Sequence, residues 1–86
     1  MAFSYFIDIA MDDKTLKAFG QQVRKIRLSQ GVSQERLGLL AELDRTYISG
    51  IERGLRNISL INIIKLASAL NIQPSELLNF GARDHA

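Results

Sequence analysis

The chain has 86 residues, no cysteine, 47% hydrophobic residues and a formal net charge of +2. That suffices for one domain with one core, near the lower size limit for folding without staples, and it excludes disulfides and thiolate metal sites as sources of stability. No run approaches the roughly 18 apolar residues that cross a bilayer, and the apolar start MAFSYFIDIAM is short, broken by Asp8 and without a basic lead, so a soluble, cytoplasmic protein is expected.

Residues 1–11 form an N-terminal extension with three open readings. Phe3, Tyr5, Ile7 and Ile9 alternate with Ser4, Phe6, Asp8 and Ala10 as in an extended segment, but a helical extension or disorder fits as well. The first helix is expected to start at an Asp12 or Asp13 cap, with Leu16, Phe19, Val23 and Ile26 on its inner face, and to end at a left-handed Gly31. Its opposite face carries Lys17, Arg24, Lys25 and Arg27, which suit either phosphates or water.

Ser33 caps a second helix, Gln34 to Ala41, with Leu37, Leu40 and Ala41 inward and a small residue, Gly38, where a close crossing is needed. Asp44 caps a third helix from Arg45 to about Arg53, anchored by Ile48 and Ile51 and ended by Gly54. Ser59 caps a fourth, with Leu60, Ile63, Ile64, Ala67 and Leu70 as its buried stripe and Asn71 as its terminator. Pro74 opens a fifth, Ser75 to about Phe80, presenting Leu77 and Leu78. The fold class is all-α, a compact five-helix domain over residues 12–80 followed by a tail, 81–86.

Charge is unevenly distributed. Lys14 to Asn57 holds nine Lys or Arg against four Asp or Glu, while the rest of the chain holds two against five. A basic middle is the electrostatic footprint expected for a phosphate backbone, although a solvated helix face has the same composition. The basic stretch coincides with two short helices joined by a tight turn, which is the layout of a helix-turn-helix. In that arrangement the start of the second helix enters the major groove.

The residues at that start are Arg45, Thr46, Tyr47 and Ser49. Arg45 suits guanine O6 and N7, and Thr46 offers a hydroxyl and a methyl, so both fit base readout. A cation at a helix N-terminus also opposes the helix dipole and invites an anion. Tyr47 fits either a phosphate or sugar contact or a cover over the helix pair. Gln34 is placed for a phosphate, as are Arg56 and Asn57 in the following loop, where Arg56 also has the length to reach a base edge. Glu52 and Arg53 are expected to pair with neighbours and fix the loop. Glu35, Glu42 and Asp44 should face away from DNA. Catalysis is not expected: His85 is the only histidine and lies in the tail, and Ser33, Ser49 and Ser59 have no adjacent base. No cofactor and no metal are expected.

Residues 20–79, and above all LDRTYISGIERGLRNISL at Leu43 to Leu60, resemble the Cro/C1-type (Xre) helix-turn-helix family and, within it, the controller proteins of restriction–modification systems. The resemblance implies a lambda-repressor-like domain that forms homodimers on palindromic double-stranded DNA operators and regulates transcription, its own included, as activator and repressor, with no enzymatic activity. It implies Arg45, Thr46 and Ser49 as base-facing, Gln34, Tyr47 and Asn57 as phosphate-facing, and Arg56 as an arm toward the groove. It also implies a dimer interface at Ile61, Ile64, Leu77, Leu78 and Phe80. Of these, Ile61 and Phe80 are apolar residues the core stripes do not require. If the protein activates, RNA polymerase is a further partner, with Glu35 as the candidate contact. A phage- or plasmid-type repressor, an antitoxin, or an interaction adaptor that does not bind DNA are the other readings of the same fold. Glu42 stands where the family's turn usually has Gly or Asn, which predicts a mildly strained left-handed residue there.

Overall fold

The computed structural model describes residues 2–80, with side chains from residue 13 onward, as five helices and no strand. The tail 81–86, with His85, and the side chains of Phe3, Tyr5, Ile7 and Ile9 lie outside the described residues. Helix α1 spans Ala2–Ser29, so the N-terminal segment takes the helical reading and Asp12 and Asp13 are interior positions rather than caps. No Gly or Pro interrupts the backbone ladder between Ala2 and Phe19. The helix stops where expected. Gly31 takes a φ of +68°, and the N–H groups of Gly31 and Val32 reach back to the carbonyls of Leu28 and Arg27 at 3.0 and 3.1 Å.

The next three helices begin at the side-chain caps read from the sequence. Ser33 Oγ accepts from Arg36 N at 2.9 Å ahead of α2 (Gln34–Ala41), and Asp44 Oδ2 accepts from Thr46 N at 3.0 Å ahead of α3 (Arg45–Glu52). Ser59 Oγ accepts from Asn62 N at 3.2 Å ahead of α4 (Leu60–Ala69), which ends at a left-handed Asn71. Helix α5 is a single turn, Pro74–Leu77, shorter than the expected Ser75 to Phe80. Two glutamines close other helix ends: Gln30, just past the end of α1, donates from Nε2 to the Leu70 carbonyl, and Gln22, within α1, donates from Nε2 to that of Glu76, both at 2.8 Å.

The core takes Phe19 and Val23 from α1, Leu37 and Ala41 from α2, Ile48 and Ile51 from α3, Leu66 and Ala67 from α4 with the adjoining Leu70, and Leu77 from α5. Three residues expected inward are exposed instead: Leu40 at 46%, Leu60 at 71% and Ile64 at 46%. The buried face of α4 centres on Leu66, Ala67 and Leu70 with Ile63 at its edge. Ile64 lies roughly 100° further round the helix than Ile63, and Leu60 opens the helix beyond the reach of the core.

Two glycines let α1, α2 and α3 approach closely. A Cβ on Gly20 of α1 would collide with the backbone carbonyl oxygens of Ile51 and Glu52, so α1 and α3 touch backbone to backbone. A Cβ on Gly38 of α2 would stand 2.6 Å from the Leu43 carbonyl oxygen, which is the close crossing anticipated there.

Candidate nucleic-acid interface

The turn between α2 and α3 is made by Glu42, Leu43 and Asp44. Glu42 adopts φ 59°, ψ 42°, the left-handed conformation expected at this position, and Leu43 N donates to the Gly38 carbonyl at 2.9 Å. Leu43 packs partly buried against the core. The turn is thus held by backbone bonds on one side and apolar packing on the other.

Helix α3 buries Ile48, Gly50, Ile51 and Glu52 and leaves Arg45 and Thr46 exposed, with Ser49 half-buried. Arg45 and Ser49, one turn apart, share a face, and Thr46 lies beside them. The Asp44 cap occupies the Thr46 N–H, leaving both exposed side chains of the first turn directed outward with the helix dipole behind them.

The far end of α3 is fixed by an ion pair between sequence-distant residues. Arg27 and Glu52 are only 5% and 7% exposed, and the guanidinium meets the carboxylate at two points, Nε to Oε2 at 2.6 Å and Nη2 to Oε1 at 3.0 Å. Arg27 Nη1 also donates to the Val32 carbonyl at 2.8 Å, and Gln34 Nε2 donates to Glu52 Oε1 at 3.0 Å. The placing of Arg27 on the outer, phosphate- or water-facing side of α1 is therefore corrected. It sits one turn after Val23 on the inner side and joins α1, the α1–α2 corner and α3. Its neighbours Lys17, Arg24 and Lys25 are exposed, with Lys17 3.6 Å from Asp13. Glu52 makes the neighbour pairing expected of it. Gln34 commits one of its two amide hydrogens to Glu52, a use not anticipated for it.

Tyr47 and Arg56 meet. The Arg56 guanidinium carbon lies 5.6 Å from the centre of the Tyr47 ring, a cation–π distance. A Cβ on Gly50 would stand 3.0 Å from Arg56 Cγ, so the bare backbone of Gly50 makes room for the arginine stem. Tyr47 is half-buried against the core, and its hydroxyl accepts from Asn62 Nδ2 at 3.1 Å. Asn57 is exposed in the same loop. Arg56 is thus laid across α3, rather than standing free as an arm.

Away from this end, Ile61 is 69% exposed, Ile64 46% and Leu78 50%. Leu77 is corrected: it is fully buried in the core and offers no side chain to an interface. Phe80 packs edge-on against Phe19 with ring centres 6.0 Å apart, so it serves this chain's own core at least in part. Leu40, Ala41, Glu42, Ile61, Ile64, Lys65 and Ser68 line a groove of about 420 Å³ between the end of α2 and the outer face of α4. Glu35 is exposed on α2. Among the described residues no helix is long and apolar enough to cross a membrane, and no three His, Cys, Asp or Glu side chains cluster as a metal site would require.

Residues 23–77, most of this architecture, match the model of a helix-turn-helix family. The chain is 59% identical over 63 residues to Control protein C.BamHI of Bacillus amyloliquefaciens, covering 72% of this chain and 78% of that one. The chain belongs to the helix-turn-helix family. It is 44% identical over 62 residues to Control protein C.MunI of Mycoplasma sp, covering 71% of this chain and 84% of the relative. In three dimensions it resembles the restriction-modification controller protein C.AhdI from Aeromonas hydrophila, with a TM-score of 0.72 and 56% identity over 72% of this chain and 94% of that one. As a helix-turn-helix protein of the Cro/C1 type it is a DNA-binding transcription regulator and not an enzyme.

Within this helix-turn-helix domain, sequence reasoning missed Arg27 and Asn62. The signal for Arg27 was present, because it stands four residues after Val23 on the Phe19–Val23 line. For Asn62 there was only its place in the first turn of α4.

Proposed function

We propose that the protein is a homodimeric controller of a restriction–modification system that binds a palindromic operator upstream of its own gene and both activates and limits transcription, working in the cytoplasm. Supporting this is the open first turn of α3: exposed Arg45 and Thr46 beyond the Asp44 cap, in a chain similar to controller proteins across the whole reader. Arg45, Thr46 and Ser49 read bases, and Gln34, Tyr47, Arg56 and Asn57 address the backbone and flanking edges. Exposed Ile61, Ile64 and Leu78, with the groove between α2 and α4, supply the apolar surface for a second copy. Binding as a dimer rises steeply with concentration, which suits a timing switch.

Activation requires a contact with RNA polymerase, and the exposed carboxylate of Glu35 on α2 is its candidate site. Footprinting on the DNA upstream of the gene tests the proposal. Two protected half-sites related by symmetry are expected, with affinity falling steeply as salt rises. No protection at any protein concentration would overturn it. Glu35→Gln should lower activated transcription while leaving the footprint intact; loss of both together would remove Glu35 from the polymerase contact.

A further inference from the structure

We propose that Asn62, in the first turn of α4, is a positioning residue for DNA reading: it holds the Tyr47 ring and, through that ring, the Arg56 guanidinium. Side chains from α3, the following loop and α4 then meet DNA as one preset unit. The inference rests on the operator-binding reading above.

Tyr47 is held on two sides. Asn62 Nδ2 donates to its hydroxyl oxygen at 3.1 Å, and the Arg56 guanidinium carbon lies 5.6 Å from its ring centre. Asn62 is itself fixed, since its backbone N–H donates to the Ser59 cap at 3.2 Å. The Arg56 stem lies closely over the bare backbone of Gly50, where a Cβ would stand 3.0 Å from its Cγ. A long arginine on an exposed loop samples many rotamers and loses that freedom when it docks; stacking on a fixed ring removes part of the loss beforehand. The ring can serve as that platform only while its own orientation is set, and Asn62 sets it from a separate helix.

The hydrogen bond also fixes the polarity of the hydroxyl. With Asn62 as donor, the Tyr47 oxygen accepts and its proton is directed to another acceptor. Among the described residues the hydroxyl makes no other hydrogen bond. A phosphate oxygen beside the reader is an acceptor of the required kind.

The test compares Asn62→Ala, Tyr47→Phe and Arg56→Ala, singly and in pairs, on the footprinted operator, on single-base variants of it, and on a non-specific duplex. Asn62→Ala should weaken operator binding about two- to tenfold, the value of one hydrogen bond, and reduce the preference at the flanking base position that Arg56→Ala abolishes. The Asn62→Ala, Arg56→Ala pair should bind no more weakly than the Tyr47→Phe, Arg56→Ala pair, because Asn62 acts only through the Tyr47 ring and hydroxyl. Adding Asn62→Ala to Tyr47→Phe should likewise cost nothing further.

Nuclear magnetic resonance of the DNA-free protein supplies a second readout. Asn62→Ala should release the Arg56 Cδ and Nε protons from their ring-shifted positions while the signals of Leu37, Ile48 and Leu66 stay in place. Losses that multiply when Asn62→Ala is added to Tyr47→Phe, or a uniform loss on every duplex, would make Asn62 an independent contact and overturn the proposal, as would unmoved Arg56 resonances. Were the unaltered protein to bind no DNA, the operator reading would fail, and the resonances would still decide whether Asn62 positions Arg56.

Discussion

Arg27 and Glu52, 25 residues apart, close a two-point ion pair in the interior with Nε–Oε2 at 2.6 Å, and this pair tethers the end of α3 to α1. Two further hydrogen bonds brace the pair, from Arg27 Nη1 to the Val32 carbonyl on one side and from the Gln34 amide to Glu52 Oε1 on the other. Buried ions are tolerated when their polar atoms are matched in this way. No described buried side-chain polar atom lacks a partner. The pair therefore joins the end of α3 to α1, whatever its net contribution to stability.

Removing one partner should be far worse than removing both. Arg27→Ala or Glu52→Ala strands the opposite charge in the core and is expected to cost about 3–5 kcal/mol, a large part of the 5–15 kcal/mol typical of a domain. The apolar pair Arg27→Met, Glu52→Leu should recover much of that loss. Urea denaturation of the three variants checks this; single variants no less stable than the pair would show that the ions are not mutually dependent.

Gly20→Ala should be more disruptive than Gly31→Ala, although only Gly31 has a positive φ. A methyl group on Gly20 meets two fixed carbonyl oxygens, whereas one on Gly31 points into open space. The expected costs are about 1–3 kcal/mol or more for the first, by overpacking, and about 1 kcal/mol for the second, by backbone strain. Thermal melts of the two variants give the order directly.

Glu42→Gly should stabilise the protein, by up to about 1 kcal/mol. Glu42 holds φ 59° with a side chain that disfavours it, while the extra freedom glycine gives the unfolded chain offsets part of the gain. Asn71, at φ 57°, should gain less from the same change because asparagine tolerates this region. The midpoints of urea denaturation distinguish the two.

Ile61→Lys and Leu77→Ala should fail in different ways. Ile61 is 69% exposed, so its replacement should leave the fold and melting behaviour intact while sedimentation shows the monomer. Leu77 is fully buried, and its truncation should cost about 2–5 kcal/mol of folding stability. A still dimeric Ile61→Lys protein would move the interface elsewhere.

Arg45→Ala should weaken operator binding by about 1–3 kcal/mol and relax preference at one base position. Binding measured on the operator and on each single-base variant separates the outcomes. An equal loss on all sequences would make Arg45 a phosphate contact.

The local chemistry of the chain determined much of this by itself. Ser33, Asp44 and Ser59 cap helices because each hydroxyl or carboxylate can satisfy an N–H two or three residues onward, whatever the rest of the domain does. Gly31 could be read as a left-handed helix end, and Gly54 and Asn71 as helix terminators, because these residue types tolerate a positive φ, and Arg45 and Thr46 could be read as the first turn beyond the Asp44 cap. Tertiary structure decided which of several adjacent apolar residues face inward, turning Leu40, Leu60 and Ile64 out, because one helical step of roughly 100° separates neighbours on a stripe. It alone brought Arg27 to Glu52, Gln34 to the same carboxylate, and Asn62 to Tyr47. These meetings join residues 15 to 25 positions apart, and whether such side chains touch depends on how closely and at what angle the helices pack. That geometry is set here by the bare backbones of Gly20 and Gly38, and no periodicity within a single helix encodes it.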